Sequence, residues 1–253
     1  MIDTHTHLYL PEFAQDIDAV IERAKAVGVH DFYLPAIDSS TTKAMYALAE
    51  RFPNHMHLMM GLHPTSVQEN FQYELDHVYQ ELRRRSFCAV GEIGIDLYWQ
   101  KDTLSWQQEA FAQQIKWAQE FNLPIVIHCR ESFDEIFEVL DAVKGPMPNG
   151  IFHCFTGTLE QANHIIGLGL SLGIGGVATF KNGKIDQFLA QIPMEHIVLE
   201  TDSPYLAPVP YRGKRNESSY LYHVAQRVAG IYDCPLNEVD RVTTANARAL
   251  FTS

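Results

Sequence analysis

The feature that most constrains this chain is a repeated alternation of short apolar runs with longer amphipathic segments. Eight runs have the length of a β-strand and are almost continuously apolar, which is typical of parallel strands buried on both faces. The predicted strands cover residues 2–8, 32–37, 57–61, 87–93, 124–128, 151–153, 170–174 and 197–201. Segments with apolar residues at helical spacing cover residues 16–27, 41–52, 73–84, 104–121, 132–143, 159–168, 184–191, 220–231 and 236–251.

Eight strands, each followed by a helix, are the composition of a (β/α)8 TIM barrel. The length of 253 residues also suits one such barrel. We therefore predict an α/β fold with a single TIM-barrel domain over residues 1–253. A doubly wound open sheet is the alternative. The closed barrel is favoured because the chain places chemically active residues at five different strand ends.

Composition narrows the functional classes. Hydrophobic residues make up 46% of the chain, yet no apolar run reaches the roughly 18 residues that a membrane span needs. The N-terminus has no basic start followed by an apolar stretch, so we expect a soluble, cytoplasmic protein with no obligate protein partner. The four cysteines form no C-x-x-C pair and are expected to be free thiols.

The formal net charge of −12 disfavours general binding to nucleic acid, because phosphates dominate non-specific affinity. A phosphate-bearing substrate would therefore have to be bound locally, by metal ions or by a small basic patch. This charge counts against a nuclease but does not exclude one.

Each of five predicted strands ends in a histidine or a carboxylate. Alternation along the first strand places His5 and His7 on one face, and Asp3 shares that face and could orient an imidazole ring. In a TIM barrel such strand ends meet at one mouth, where active sites lie. Four histidines and two carboxylates suit zinc, manganese or iron. The predicted ligands of one or two divalent ions are His5, His7, Glu92, His128, His153 and Asp202.

The residues that follow these histidines have the opposite parity. Cys129 follows His128 and Cys154 follows His153, so both thiols are predicted to face the helix layer rather than a metal ion.

Further residues near the strand ends could contact substrate. His63, after the third strand, is either a substrate contact or an ordinary loop histidine. A locally basic loop follows the eighth strand and could meet phosphate or stack on a base, or it could be tied down by salt bridges. The candidate substrate contacts are His63, Arg130, Tyr205, Tyr211, Arg212, Lys214 and Arg215.

Taken together, these motifs resemble the TatD family of metal-dependent deoxyribonucleases, within a wider group related to amidohydrolases. The resembling motifs span nearly the whole chain and cover residues 3–7, 61–64, 91–96, 124–130, 153–157, 200–205 and 210–216. Position 6 is Thr, where the family often has Cys or Ala, but that side chain is predicted to face away from the metal ions.

The resemblance implies a TIM barrel that hydrolyses phosphodiester bonds in DNA. From the ligand types, the expected cofactor is one or two divalent ions, Zn, Mg or Mn. The resemblance also implies that His5, His7 and Asp202 hold one ion, and that His128 and His153 hold a second. Glu92 would bridge the two ions and His63 would contact the scissile phosphate. Two such ions can support an in-line displacement at phosphorus, with Asp202 as the general base.

Two other functional classes fit the same ligands. An amidohydrolase would cleave amide, lactone or small phosphoester substrates, because fold and metal do not fix the reaction. The basic loop and the absence of a lysine at the ends of strands four and five count against it. A non-catalytic metal protein is disfavoured because structural sites are closed by four ligands, whereas this chain offers six candidates.

Overall fold

A computed structural model of the chain describes residues 1–251, in which eight parallel strands form one sheet in the order β1 to β8. Each strand pairs with its sequence neighbour, as expected when each strand is followed by a right-handed crossover. The strands are β1 (Ile2–Asp3), β2 (Asp31–Leu34), β3 (Met56–Met60), β4 (Ala89–Asp96), β5 (Ile125–Arg130), β6 (Gly150–Phe152), β7 (Leu170–Ile174) and β8 (Ile197–Leu199).

Backbone hydrogen bonds between the first and last strands close the sheet. The Thr4 amide donates to the Leu199 carbonyl at 3.1 Å, and the Asp202 amide donates to the His5 carbonyl at 2.9 Å. The predicted first strand is shorter than expected, but residues beyond Asp3 continue between β2 and β8. The predicted (β/α)8 TIM barrel is confirmed.

Eight α-helices lie outside the strands in the described residues 1–251. They are α1 (Ile17–Ala26), α2 (Ser39–Arg51), α3 (Phe71–Arg84), α4 (Leu104–Phe121), α5 (Phe133–Asp141), α6 (Leu159–Gly167), α7 (Leu221–Tyr232) and α8 (Leu236–Phe251). The predicted helix over 184–191 is wrong, because that segment forms two short 3-10 turns, Ile185–Gln187 and Leu189–Gln191. Phe188 lies between the two turns with φ −136°, outside the helical region, and so interrupts the helix.

The barrel interior is apolar at the amino-terminal end of the strands. Seven strands each contribute one buried side chain to a cluster there, and α8 packs against it through Ala247 and Leu250. The strand residues of this cluster are Ile2, Tyr33, Met59, Ala89, Val126, Ile151 and Val198. Because this layer fills the interior, polar side chains that point inward collect at the opposite mouth, at the carboxyl ends of the strands.

Strand β4 approaches β5 more closely than any side chain at residue 94 would allow. Gly94 has φ +142°, and a Cβ there would collide with the carbonyl oxygen of His128. The pairing also shifts register between Gly91 and Ile93, which leaves Glu92 as the extra residue of a β-bulge. Glycine is therefore required for β4 to bring the mouth residues of the two strands together.

Ion pairs attach the segment that follows β8 to α1. Arg23 donates to both carboxylate oxygens of Glu217, at 2.7 and 2.6 Å, and Arg215 forms a similar fork with Asp16 at 2.8 Å. Glu217 is only 5% exposed, and although burial opposes its ionisation, the hydrogen bonds from Arg23 lower its pKa. Such bidentate pairs fix geometry as well as charge.

In the described residues 1–251, no helix combines the length and the hydropathy that crossing a membrane would require.

Replacing Glu217 with Gln should destabilise the fold at pH 7 by about 1–3 kcal/mol, because two charge-assisted hydrogen bonds weaken. Since the pKa of Glu217 is lowered in the folded state, its contribution is complete above the unfolded value of 4.5 and is lost as the pH falls through the folded value. Urea unfolding from pH 7 to pH 3 measures this. The difference from wild type should shrink below about pH 4.5.

Glu238→Gln is the matched control, because Glu238 pairs with Arg241 on the exposed face of α8. Because this pair is exposed to solvent, its loss should change the free energy of unfolding far less than the loss of the Glu217 pair. A Glu217→Gln protein with wild-type stability at pH 7 would show that this pair does not hold the loop.

Candidate active site

Five imidazole rings surround one buried carboxylate at the carboxyl-terminal mouth of the barrel. The carboxylate is that of Glu92, which is 1% exposed. Its Oε1 lies near His128 Nδ1 at 2.7 Å, His153 Nε2 at 2.9 Å and His63 Nε2 at 3.2 Å. Its Oε2 lies near His5 Nε2 at 2.9 Å and His7 Nε2 at 3.5 Å. The structure thus brings together residues from the ends of β1, β3, β4, β5 and β6.

His5 and His7 point into the same space, as the sequence predicts. Their Nε2 atoms are 3.3 Å apart, and Asp202 Oδ1 lies 3.8 and 3.7 Å from them. Asp202, three residues after the end of β8, has a left-handed backbone with φ +56°, which asparagine and aspartate tolerate better than most residues. This turn brings the Asp202 carboxylate to the two rings.

Tyr9 determines which nitrogen of His7 carries the proton. The Tyr9 hydroxyl lies 2.6 Å from the Pro35 carbonyl, which can only accept, so the hydroxyl donates there. His7 Nδ1 lies 2.9 Å from the same hydroxyl and must therefore donate its N–H to it. In the neutral ring the lone pair is then on Nε2, and it faces His5, Glu92 and Asp202. This is the tautomer that binds a metal ion.

His63 has the opposite tautomer. Its Nδ1 accepts a hydrogen bond from the Thr65 amide at 3.1 Å, so the neutral ring carries its proton on Nε2. Burial lowers the pKa of His63, which favours the neutral ring. The Nε2–H faces Glu92. His63 is therefore suited to donate a hydrogen bond rather than to ligate a metal ion.

His128 lies between two carboxylates, one of which the sequence analysis missed. Its Nδ1 faces Glu92 and its Nε2 lies 2.9 Å from Asp96 Oδ2. Burial opposes protonation, but the hydrogen bonds to Asp96 and Glu92 raise the pKa of His128 overall. Asp96 is in the same motif as Glu92 and four residues further along β4, a spacing that could have indicated its inward direction.

A second missed carboxylate, Glu200, supports His153. Glu200 Oε1 lies 3.3 Å from His153 Nδ1 and accepts the Cys154 amide proton at 2.5 Å. Glu200 is fully buried after β8, two residues before Asp202. Glu200 also lies two residues after Val198, which points into the barrel interior, and this alternation could have indicated that Glu200 points inward. A carboxylate behind a histidine orients the ring and makes it a better ligand.

The predictions for the two cysteines that follow His128 and His153 have different outcomes. Cys129 packs against the core, with its Sγ 3.7 Å from Ser132 Oγ, as predicted. Cys154 lies beyond the end of β6 with φ +46°, so strand alternation does not extend to it and the predicted orientation toward the helices loses its basis. Burial, and then the nearby carboxylates, raise the pKa of the Cys154 thiol well above its usual value, which keeps it protonated.

Asp3 does not orient a ring, and this prediction is wrong. Its Oδ1 accepts the Thr201 amide proton at 2.9 Å and its Oδ2 accepts the Thr201 hydroxyl proton at 2.7 Å. His5 Nδ1 is buried with no hydrogen-bond partner within the described chain. Asp3 instead connects β1 to the segment after β8, because the barrel closes at that point.

Burial and neighbouring charges shift the pKa values of several side chains at this mouth. Burial alone would raise the pKa of Glu92, but His153, His5 and His63 lower it well below its usual value. Burial raises the pKa of Asp202 to about 6 and lowers that of His5 well below its usual value. Burial opposes protonation of His153, but Glu92 and Glu200 raise its pKa well above its usual value. The buried carboxylates thus favour positive charge in the cluster, which a divalent cation would also supply.

Three overlapping groups of side chains could hold a metal ion within residues 1–251. Within each group the ligand atoms lie within 4.8 Å of one another. The groups are His5, His153 and Asp202; His5, His7 and Glu92; and His63, Glu92 and His128. All six predicted ligands and His63 therefore belong to one connected cluster.

The predicted substrate contacts are spread around the rim. The Tyr205 ring is 49% exposed and its centroid lies 6.2 Å from that of His7, so it borders the cluster. Arg130 lies over Tyr98, Arg212 lies over Phe180, and Lys214 lies near Tyr211. Arg215 is held by Asp16 and the Glu12 carbonyl, which is the salt-bridged alternative for that residue.

A TIM barrel with a histidine- and carboxylate-rich cluster at its carboxyl-terminal mouth defines the class of metal-dependent hydrolases. Residues 2–252 match the family model described as TatD related DNase. The chain belongs to this family, and it is a TatD-family metal-dependent hydrolase, as its sequence motifs predict.

Relatives cover almost the whole chain. The metal-dependent hydrolase YabD of Bacillus subtilis is 36% identical, over 99% of this chain and 98% of its own. The 3′-5′ ssDNA/RNA exonuclease TatD of Yersinia pseudotuberculosis is 32% identical, over 99% of both chains. The crystal structure of YjjV, a TatD homologue from Escherichia coli, superimposes with a TM-score of 0.93 at 29% identity, over 100% of this chain and 98% of that one.

More distant structures share only the fold. An amidohydrolase from Saccharomyces cerevisiae superimposes with a TM-score of 0.84 at 17% identity, over 99% of both chains. The amidohydrolase alternative is therefore the weaker one for this chain.

Replacing Tyr9 with Phe should weaken binding of a divalent ion roughly 10- to 100-fold, because His7 Nδ1–H loses the acceptor that fixes its tautomer. Competition with a chromogenic chelator, using Zn²⁺ and Mn²⁺, measures the affinity. Tyr46→Phe is the matched control, since it removes a hydroxyl that donates to Glu81 outside the barrel mouth. Equal affinities for Tyr9→Phe and wild type would contradict this role for Tyr9.

Proposed function

We propose that this enzyme hydrolyses phosphodiester bonds in single-stranded DNA, at the cluster around Glu92. The observation that carries this proposal is the convergence of five imidazoles and two carboxylates, with His7 presenting a lone pair and His63 presenting an N–H. The TatD exonuclease of Yersinia pseudotuberculosis, with 32% identity, supports nucleic acid as the substrate class.

The cluster fits one or two divalent ions. His5, His7 and Asp202 would hold one ion, His128 and His153 would hold a second, and Glu92 would contact both. Unprotonated nitrogens and carboxylate oxygens at 2.9–3.8 Å from one another would repel unless a cation or protons lay between them. Imidazole ligands suit zinc, whereas carboxylates and water suit magnesium and manganese, so this mixed set suits Zn, Mg or Mn.

When bound, a divalent ion supplies a Lewis acid for a phosphoryl oxygen and lowers the pKa of water toward neutrality. The side chains of the protein supply the remaining steps. Asp202 lies at the edge of the cluster and is 14% exposed, so its carboxylate can accept a proton from an attacking water. His63 donates its Nε2–H to the phosphate as negative charge grows there.

Four side chains on the rim would bind the rest of the strand. Tyr205 borders the cluster beside His7 and could stack on a base, and Arg130 lies two residues after His128. Arg212 and Lys214 are both exposed on the loop after β8, where they could contact phosphates further along the strand.

Replacing either Glu92 or Asp202 with Ala should abolish cleavage while the barrel still folds, because each removes a ligand or base from the cluster. The assay is hydrolysis of a labelled single-stranded DNA oligonucleotide by metal-stripped protein supplied with Mg²⁺, Mn²⁺ or Zn²⁺. Asp31→Ala is the control, since Asp31 pairs with His57 at the amino-terminal start of β2. It should cleave like wild type.

Near-wild-type cleavage by Glu92→Ala or Asp202→Ala would contradict the site assignment. A folded, metal-loaded wild-type enzyme that cleaved no oligonucleotide with any of the three ions would contradict the proposed substrate.

Replacing Arg212 and Lys214 together with Ala should raise KM for a DNA oligonucleotide about 3- to 10-fold, since surface charge contacts are individually weak. The KM for a small phosphodiester should not change, because that substrate does not reach the loop. The control is Lys25→Ala with Arg241→Ala, which removes two charges from the outer helices. Equal effects on both substrates would contradict this role for the loop.

A further inference from the structure

Two large aromatic side chains are exposed directly after β4. Tyr98 is 47% exposed and Trp99 is 64% exposed. Exposed aromatic side chains that stand together at a barrel mouth are typical of a binding surface, because water contact with apolar rings is unfavourable. The sequence analysis did not single out either residue.

Asp96 holds the backbone of both residues in place. Its Oδ1 accepts the amide proton of Tyr98 at 2.9 Å and that of Trp99 at 2.7 Å. The two rings meet edge to face, with centroids 4.7 Å apart and an interplanar angle of 86°. The backbone that carries the two rings is therefore fixed before any ligand binds, which reduces the entropy cost of binding.

Arg130 adds a positive charge to this surface. Its Cζ lies 4.0 Å from the Tyr98 ring centroid and 5.7 Å from that of Trp99. The Leu97 amide also donates to the Arg130 carbonyl at 2.9 Å, which ties the two strand ends together. We call Tyr98, Trp99 and Arg130 the aromatic platform.

One carboxylate connects the aromatic platform to the cluster around Glu92. Asp96 accepts the two amide protons with Oδ1, while its Oδ2 lies 2.9 Å from His128 Nε2. A group bound on the aromatic platform therefore lies next to His128, at the edge of the cluster where the scissile phosphate would bind.

We propose that the aromatic platform stacks on one unpaired nucleobase of the strand that is being cleaved, beside the scissile phosphate. This inference rests on the proposed function and adds a binding site for one base of the single-stranded substrate. Stacking on an aromatic ring tolerates every base, because each base has a π-face. A base inside a duplex has both faces covered by its neighbours and cannot stack in this way.

The net charge of the chain explains why stacking is needed here. At −12, the protein as a whole repels a polyanion, so phosphate contacts can supply only part of the affinity. Stacking does not depend on the net charge of the protein. Arg130 adds a local positive charge to the stacking surface through its cation–π contact with Tyr98.

Replacing Trp99 with Ala should raise KM for a single-stranded oligonucleotide roughly 5- to 100-fold, the range for loss of one stacked base. Four oligonucleotides, each with a single abasic nucleotide at a different one of the last four positions, locate the stacked base. The KM of wild type should rise by a similar factor with the abasic nucleotide at one position only. At that position the KM of Trp99→Ala should rise no further. Trp99→Phe should recover most of the affinity.

Trp106→Ala is the matched control, because Trp106 is partly exposed but stacks on Phe71 between α3 and α4. It should have the KM and the abasic profile of wild type. Fluorescence anisotropy of the same labelled oligonucleotides gives a second readout that does not depend on cleavage.

The two proposals fail in different ways. If wild type cleaves the oligonucleotides but Trp99→Ala has the same KM and the same abasic profile, the aromatic platform does not bind a base. If wild type cleaves none of them, the proposed function fails, and the anisotropy profile still decides the platform. Binding without any penalty at an abasic position would overturn it.

Discussion

The structure depends on a carboxylate that is buried among five imidazoles. Removing Glu92 from water costs several kcal/mol unless neighbouring groups compensate its charge. The five histidines compensate it, and they come from four strand ends that are far apart in sequence. The cluster can therefore form only in a sheet that has closed, and this requirement links the chemistry of the mouth to the barrel.

Strand β4 meets this requirement through a local irregularity. Glu92 is the extra residue of a β-bulge, and Gly94 lets β4 lie against the His128 carbonyl. Glu92 can then face the cluster while Asp96, at the end of the same strand, faces the other side of the His128 ring. Bulges re-aim side chains in this way next to active sites. One strand thus supplies both carboxylates that hold His128, and it also positions the aromatic platform.

The sequence predicts the barrel and the six central residues because both depend on period-two alternation and on a count of strands. It fails where the backbone leaves that pattern. Cys154 has positive φ, so parity does not determine where its side chain lies. Asp3 pairs with Thr201 across the closure, a contact between chain ends that no local pattern reveals. The segment over 184–191 has helical spacing, but the non-helical backbone of Phe188 interrupts it.

The tautomers of the histidines are the feature that the sequence predicts least well, although the tautomer determines the role of each ring. The hydrogen bond from Tyr9 to the Pro35 carbonyl makes His7 a ligand-type ring, whereas the Thr65 amide makes His63 a donor. Both rings belong to one cluster, and the difference between them comes from a single hydrogen bond on the far nitrogen. A mouth that held only ligand-type rings could bind ions but would have no imidazole N–H for a phosphate oxygen. The proposed hydrolysis needs both kinds, so the residues behind the histidines determine the chemistry as much as the histidines do.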